Sequence, residues 1–221
     1  MLAVQKEFET RTSEVSRYFQ FLRDFDDHLL DFRPDAKLSS ASEKTELYKT
    51  LKANGFLLLY NLVESTLKNA IEAVFDEFKL KRVTFDDCRL EVRKLVLQNL
   101  KNQKVDRLIP DLVAISTDVL TATFRKEELV SGNVDAKHVR ELAKRYGFDS
   151  PKVKSDELLT VKTNRNDLAH GTKSFAEVGR DFDIKRLEVI HAEVIDFLKA
   201  LLKSIASYIS RRGYLAATVA K

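Results

Sequence analysis

The chain has 221 residues, of which 38 are basic and 34 acidic, a net charge of +4 that permits a nucleic-acid partner without requiring one. That length is enough for one well-buried core or two smaller ones. With 6 glycines and 3 prolines the sequence lacks the turn formers of a sheet-rich protein, and its abundant Leu, Lys, Glu, Ala and Arg make all-α the expected class.

From Leu2 to about Phe32 the apolar residues Phe8, Val15, Tyr18, Phe19, Leu22, Phe25 and Leu29 recur three or four apart, which predicts a long helix ended by Pro34. Arg33 to Glu43, with Ser39, Ser40 and Ser42, reads as a loop. A second long helix follows over about Thr45 to Lys79. Its stripe is Phe56, Leu59, Val63, Leu67, Ala70, Ile71, Val74 and Phe78, with Asn61, Glu64, Ser65, Lys68 and Glu72 on the other side. Thr84 is the expected cap of a third helix, Phe85 to about Asn102, with Asp86 and Asp87 in its first turn where the helix dipole favours carboxylates. Between Asp111 and Phe124 the alternating β-branched residues leave helix and strand open.

Ser131-Gly132-Asn133 marks a turn, Asp135 an N-cap, and Gly147 the end of a short helix over Ala136 to Tyr146. Ser155 is the expected cap of a helix from Asp156 to His170, closed by a left-handed Gly171. Asp183 then caps a last long helix to about Arg212, stopped by Gly213. Its seam of Leu187, Ile190, Val194, Leu198, Leu201, Ile205 and Tyr208 suits either a core or a subunit interface. Met1 to Glu9 shows no signal-peptide pattern, and the longest apolar run, Phe56 to Tyr60, is too short for a membrane span. A single cysteine, Cys88, provides neither a disulfide framework nor a Cys-rich zinc site, so a cytoplasmic, membrane-free protein is expected.

Chemistry concentrates at the end of the Asp156 to His170 helix, in Arg165-Asn166-Asp167-Leu168-Ala169-His170. Lys162, Asn166 and His170 are spaced four apart and stack on one face, with Arg165 one position round. Two cations, an amide and an imidazole with no acidic residue on that face invite an anion. The same residue types near a helix C-terminus also complement its dipole, so spacing alone leaves both roles open.

Arg165-Asn166-x-x-x-His170 resembles the Arg-x(4–6)-His signature of the HEPN superfamily (higher eukaryotes and prokaryotes nucleotide-binding domains). The segments Leu59 to Ser65, Ser131 to Asp135 and Ala176 to Asp181 resemble a bacterial, defence-linked HEPN-like nuclease subfamily, and extend the likeness from about Thr45 to Ile209. The resemblance implies a single-domain helical bundle, with residues 1–44 as an N-terminal helix and loop packing on it, 45–212 as the HEPN-like domain and 213–221 as a tail. It further implies a homodimeric endoribonuclease that needs no metal or other cofactor, of a toxin–antitoxin or anti-phage defence system. A neutralising antitoxin or a defence-system protein would be its protein partner. Carried over to this chain, His170 is the general base or acid, Arg165 binds the scissile phosphate, and Asn166 orients His170 or the phosphate. Lys162 and Lys173 become peripheral RNA-binding cations. Where nucleotidylated members resemble Arg-x(4)-His-x-Tyr, this chain has Thr172.

Other residues fit blander roles. His28, His138 and His191 lie on separate predicted helices without ligand-spaced partners, and Cys88 reads as a buried thiol. Asp86-Asp87 and Asp181-Asp183 precede helices, where capping accounts for them. Glu64 is either a solvated residue or one that reaches the motif. The rival functions are a catalytically inactive RNA- or nucleotide-binding or scaffold module of the same fold, and a helical adaptor without RNA contact.

Overall fold

The computed structural model describes residues 1–27, 41–102, 119–120, 123–124 and 133–217. Among these residues the structure is all-α. The helices are α1 (Leu2–Asp26), α2 (Ala41–Lys81), α3 (Leu90–Asn102), α4 (Ala136–Tyr146), α5 (Glu157–Ala169), α6 (Phe175–Arg180) and α7 (Ile184–Ser210), with a 3-10 turn at Phe85–Asp87. One antiparallel bridge joins Cys88 and Leu215. His28, Leu29, Pro34, Ser39 and Ser40, Ser131 and Gly132, and most of the ambiguous stretch 111–124 fall outside the described residues.

The chain forms two compact units. One comprises Met1–Val4, Thr66–Lys152 and Lys199–Lys221, and the other, which carries the Arg–His motif, comprises Gln5–Ser65 and Val153–Leu198. In the motif unit, α1 buries Phe8, Val15, Phe19 and Leu22 at the spacing read from the sequence. Phe19 stacks on His191 of α7, with ring centroids 4.5 Å apart, and Ser16 Oγ lies 3.2 Å from His191 Nε2. Tyr18 donates its hydroxyl to the Leu51 carbonyl of α2. Lys52 Nζ donates to the Phe182 carbonyl at 2.6 Å, and Phe56 meets Phe182 edge-on.

In the other unit, an aromatic cluster of Phe75, Phe78, Tyr146, Phe148, Tyr208 and Tyr214 fills the core. The Tyr208 hydroxyl donates to the Tyr146 carbonyl at 2.6 Å. Arg89 donates to the carbonyls of Gly147 and Gly213, so one guanidinium ties the end of α4 to the segment after α7.

Several boundaries differ from those read in the sequence, each for a local reason. The second helix starts at Ala41 rather than Thr45, so Ser42 and Glu43 are helical, with Glu43 in the first turn where the dipole favours it. The expected helix from Phe85 is interrupted. Asp87 accepts hydrogen bonds from the Thr84 N–H and hydroxyl, Cys88 then turns extended, and the Arg89 N–H pairs with the Tyr214 carbonyl before α3 begins.

Ser155 does not cap α5. The Glu193 carboxylate of α7 accepts the Glu157 N–H at 2.9 Å instead. After α7 the left-handed residue is Arg212 (φ 48°), and the Gly213 N–H closes the helix end on the Tyr208 carbonyl at 2.8 Å, where an added Cβ would stand 2.7 Å from the Tyr208 ring. Asp135, Gly147 and Asp183 act as expected: Asp135 accepts from the His138 N–H, Gly147 has φ 83°, and Asp183 accepts from the Arg186 N–H at 2.7 Å. The α7 seam, from Leu187 to Tyr208, is buried within the chain, which settles it as core.

Burial holds the His191 ring below the ordinary imidazole value of 6.5, with Arg23 adding to the effect and Glu188 opposing it. The folded protein therefore keeps this ring neutral where the unfolded chain takes up a proton, and stability falls as pH drops below that value. Urea midpoints should fall between about pH 7 and about pH 5.5, and His191→Phe, which keeps the stack on Phe19, should flatten that slope. Equal slopes in the two proteins would show that this histidine does not contribute.

Candidate active site

The motif helix is fixed at both ends. At its N-terminus Glu157 is buried and its carboxylate meets Arg186 of α7 at 2.6 Å, while Glu193 caps the Glu157 N–H and pairs with Lys154 at 3.1 Å. At its C-terminus the Thr172 N–H donates to the Asp167 carbonyl and the Gly171 N–H to the Leu168 carbonyl. With Gly171 at φ 67°, this is a Schellman closure. His170 is consequently the last residue before the chain reverses, and its ring is exposed. Sequence alone does not reveal α6, although Ser174 and Glu177 form its capping box: Ser174 accepts the Glu177 N–H and Glu177 accepts the Ser174 N–H.

Along α5 the buried side carries Leu158, Val161 and Leu168. Arg165 lies four residues after Val161 and three before Leu168, so its stem runs on that side and it is only half-exposed. Its guanidinium sits over the ring of Tyr60 on α2, with Cζ 4.6 Å from the centroid, and Nη1 donates to Asn166 Oδ1 at 3.0 Å. A guanidinium can only donate, so the Asn166 oxygen faces Arg165. The Asn166 backbone carbonyl accepts the His170 N–H at 2.9 Å, and its side-chain oxygen is turned to Arg165. No carboxylate among the described residues pairs with Arg165, and the His170 ring has no hydrogen-bond partner among them.

Five residues at about 100° each set Arg165 and His170 roughly 140° apart around the helix axis. One chain thus presents the two groups in different directions, Arg165 against Tyr60 and His170 into solvent. Lys162 is half-buried on the helix, and Lys173 lies in the turn after it. The sequence shows no acidic partner on the motif's face. Across the closure Asp167 pairs with Lys173 at 3.7 Å, a spacing of six that helical periodicity does not reveal. Glu64, one turn beyond Tyr60 on α2, is half-buried. Tyr60 and Glu193 are the contributors that sequence reasoning missed. The only signal for Tyr60 is its place in the segment Leu59 to Ser65.

The residues set aside in the sequence occupy structural positions: Cys88 is buried, His191 is a half-buried ring stacked on Phe19, and Asp87 closes the turn at Thr84. Among the described residues no three His, Cys, Asp or Glu side chains converge as a metal site, and no helix is long and apolar enough to cross a membrane.

The chain matches the HEPN_MAE_28990-like HEPN family over residues 3–214, which includes α1 and the motif helix. No curated protein and no solved structure gives a match. HEPN domains are commonly ribonucleases, and they often dimerise and bind RNA. A match spanning nearly the whole chain, on an all-α fold with the Arg–His motif at the end of a late helix, makes this protein a member of the HEPN_MAE_28990-like HEPN family.

Proposed function

We propose that the protein is a metal-independent endoribonuclease of a toxin–antitoxin or anti-phage defence system, acting as a homodimer through Arg165, Asn166 and His170. The observation that carries this reading is the state of the two motif side chains. An exposed imidazole stands beyond the last turn of α5, and a guanidinium is held without a carboxylate among the described residues to neutralise it. Buried or half-buried arginines in purely structural roles are usually paired with an acid.

In the reaction, the ribose 2′-oxygen attacks the adjacent phosphorus as the bond from phosphorus to the 5′-oxygen breaks. His170 takes the 2′-hydroxyl proton, because imidazole can accept and return a proton near neutral pH. Arg165 stabilises the charge growing on the phosphate oxygens with its planar fork of donors, and Asn166 holds that fork. The departing 5′-oxygen receives a proton back from an imidazolium, so the products are a 2′,3′-cyclic phosphate and a 5′-hydroxyl. Arg165 and His170 of one chain diverge around α5, so two copies meeting at this helix would supply a guanidinium and an imidazole to one phosphate. Lys162 and Lys173 add backbone attraction that weakens with salt.

Light scattering at micromolar concentration is expected to give a dimer, and total cellular RNA incubated with the protein and EDTA is expected to be cut. A monomer, or an interface that leaves α5 on a remote outer face, would contradict the composite site. RNA that is bound and never cut would assign the protein to the inactive binding modules of the same fold.

A further inference from the structure

Resting on the reading of Arg165 as the phosphate-binding group, we infer that Tyr60 is its positioning residue: the buried ring on α2 is the platform that aims the guanidinium. An arginine on a helix surface has four rotatable bonds and samples many directions, whereas binding a phosphate through two N–H groups requires one. The Tyr60 ring is fully buried between turns of α2 that bury Phe56, Leu59 and Val63, so it does not move with the solvent-side chains. The guanidinium lies over its face at 4.6 Å, and Asn166 Oδ1 fixes one edge at 3.0 Å.

The choice of an aromatic ring has a chemical consequence. A carboxylate in its place would cancel the charge and occupy the fork. A π-face attracts the cation while consuming no N–H, which leaves the donors not held by Asn166 for phosphate oxygens. Tyr60 touches no reacting atom in this arrangement and acts only through Arg165. The same pairing explains why a segment of α2 more than a hundred residues away in sequence belongs to the site.

The test combines a spectroscopic and a kinetic readout. In the folded wild-type protein the Arg165 Nε–Hε resonance should show an upfield ring-current shift, retained in Tyr60→Phe and lost in Tyr60→Leu. On RNA, Tyr60→Phe should keep kcat within about twofold, while Tyr60→Leu should lower kcat about tenfold with little change in KM. A merely structural ring would alter stability without this split. An unshifted Arg165 resonance in the wild-type protein overturns the inference, and it does so even where Tyr60→Leu fails to fold. Tyr60→Leu cutting RNA at the wild-type rate overturns it as well. Should the wild-type protein not cut RNA at all, the nuclease reading falls, and the Arg165 resonance still decides whether Tyr60 holds the guanidinium.

Discussion

Gly179→Ala is expected to destabilise the protein by about 3 kcal/mol or more, at the upper end of what one added methyl group costs in a packed interior. Gly179 lies on α6, where its missing side chain lets α2 come into contact. An added Cβ would stand 1.9 Å from the Lys49 carbonyl oxygen and 2.8 Å from the Lys49 Cα. These are backbone atoms in the first half of α2, anchored nearby by the Lys52 bond to Phe182, so no side-chain rotation can relieve the clash. The two helices must separate, and the apolar contacts around Val178 separate with them. Gly171→Ala is the contrasting case. An added Cβ there has nothing within 4 Å, so its cost comes from φ 67° alone, about 1 kcal/mol. Urea denaturation should rank wild type above Gly171→Ala and Gly171→Ala well above Gly179→Ala. A Gly179→Ala midpoint equal to that of Gly171→Ala would show that the approach of α6 to α2 is not as close as described.

Replacing Arg165 or His170 by alanine should reduce RNA cleavage by about 10²–10⁴, the range for loss of a general acid–base or of a donor to developing charge. The two variants should differ in their side effects. His170 is exposed and its ring has no partner among the described residues, so His170→Ala should keep the wild-type urea midpoint. Arg165→Ala gives up the Tyr60 ring and the Asn166 bond, and should lose about 1 kcal/mol while staying folded. Arg165→Lys keeps the charge and loses the two-pronged fork, so its rate should fall between wild type and Arg165→Ala. Lys173→Ala should change the rate by less than about tenfold and mainly alter the salt dependence, since Lys173 already spends part of its charge on Asp167. Single-turnover cleavage rates beside urea midpoints separate these effects.

Helical class, the long stripes of α2 and α7, and the ends of α4 were legible because each rests on local rules: apolar spacing, an Asp N-cap, a glycine with positive φ. The motif was legible for the same reason, as six residues at the end of one helix with a closing glycine. What escaped the sequence depends on partners distant in the chain. Ser155 is a natural N-cap by residue type, yet the cap of α5 comes from Glu193, and the chain leaves helical geometry at Cys88 and Arg89 to meet Leu215 and Tyr214. The direction of Arg165 was likewise invisible. Its spacing from Asn166 and His170 is a matter of periodicity, but its burial against Tyr60 follows from how α2 packs beside α5.

The most direct measurement of the central claim is the chemistry of the cut ends. RNA incubated with the wild-type protein in EDTA should yield fragments ending in 2′,3′-cyclic phosphate and beginning with 5′-hydroxyl, and His170→Ala, folded to the same urea midpoint, should yield almost none. Fragments that end in 3′-hydroxyl, or His170→Ala cutting at the wild-type rate, would contradict the account.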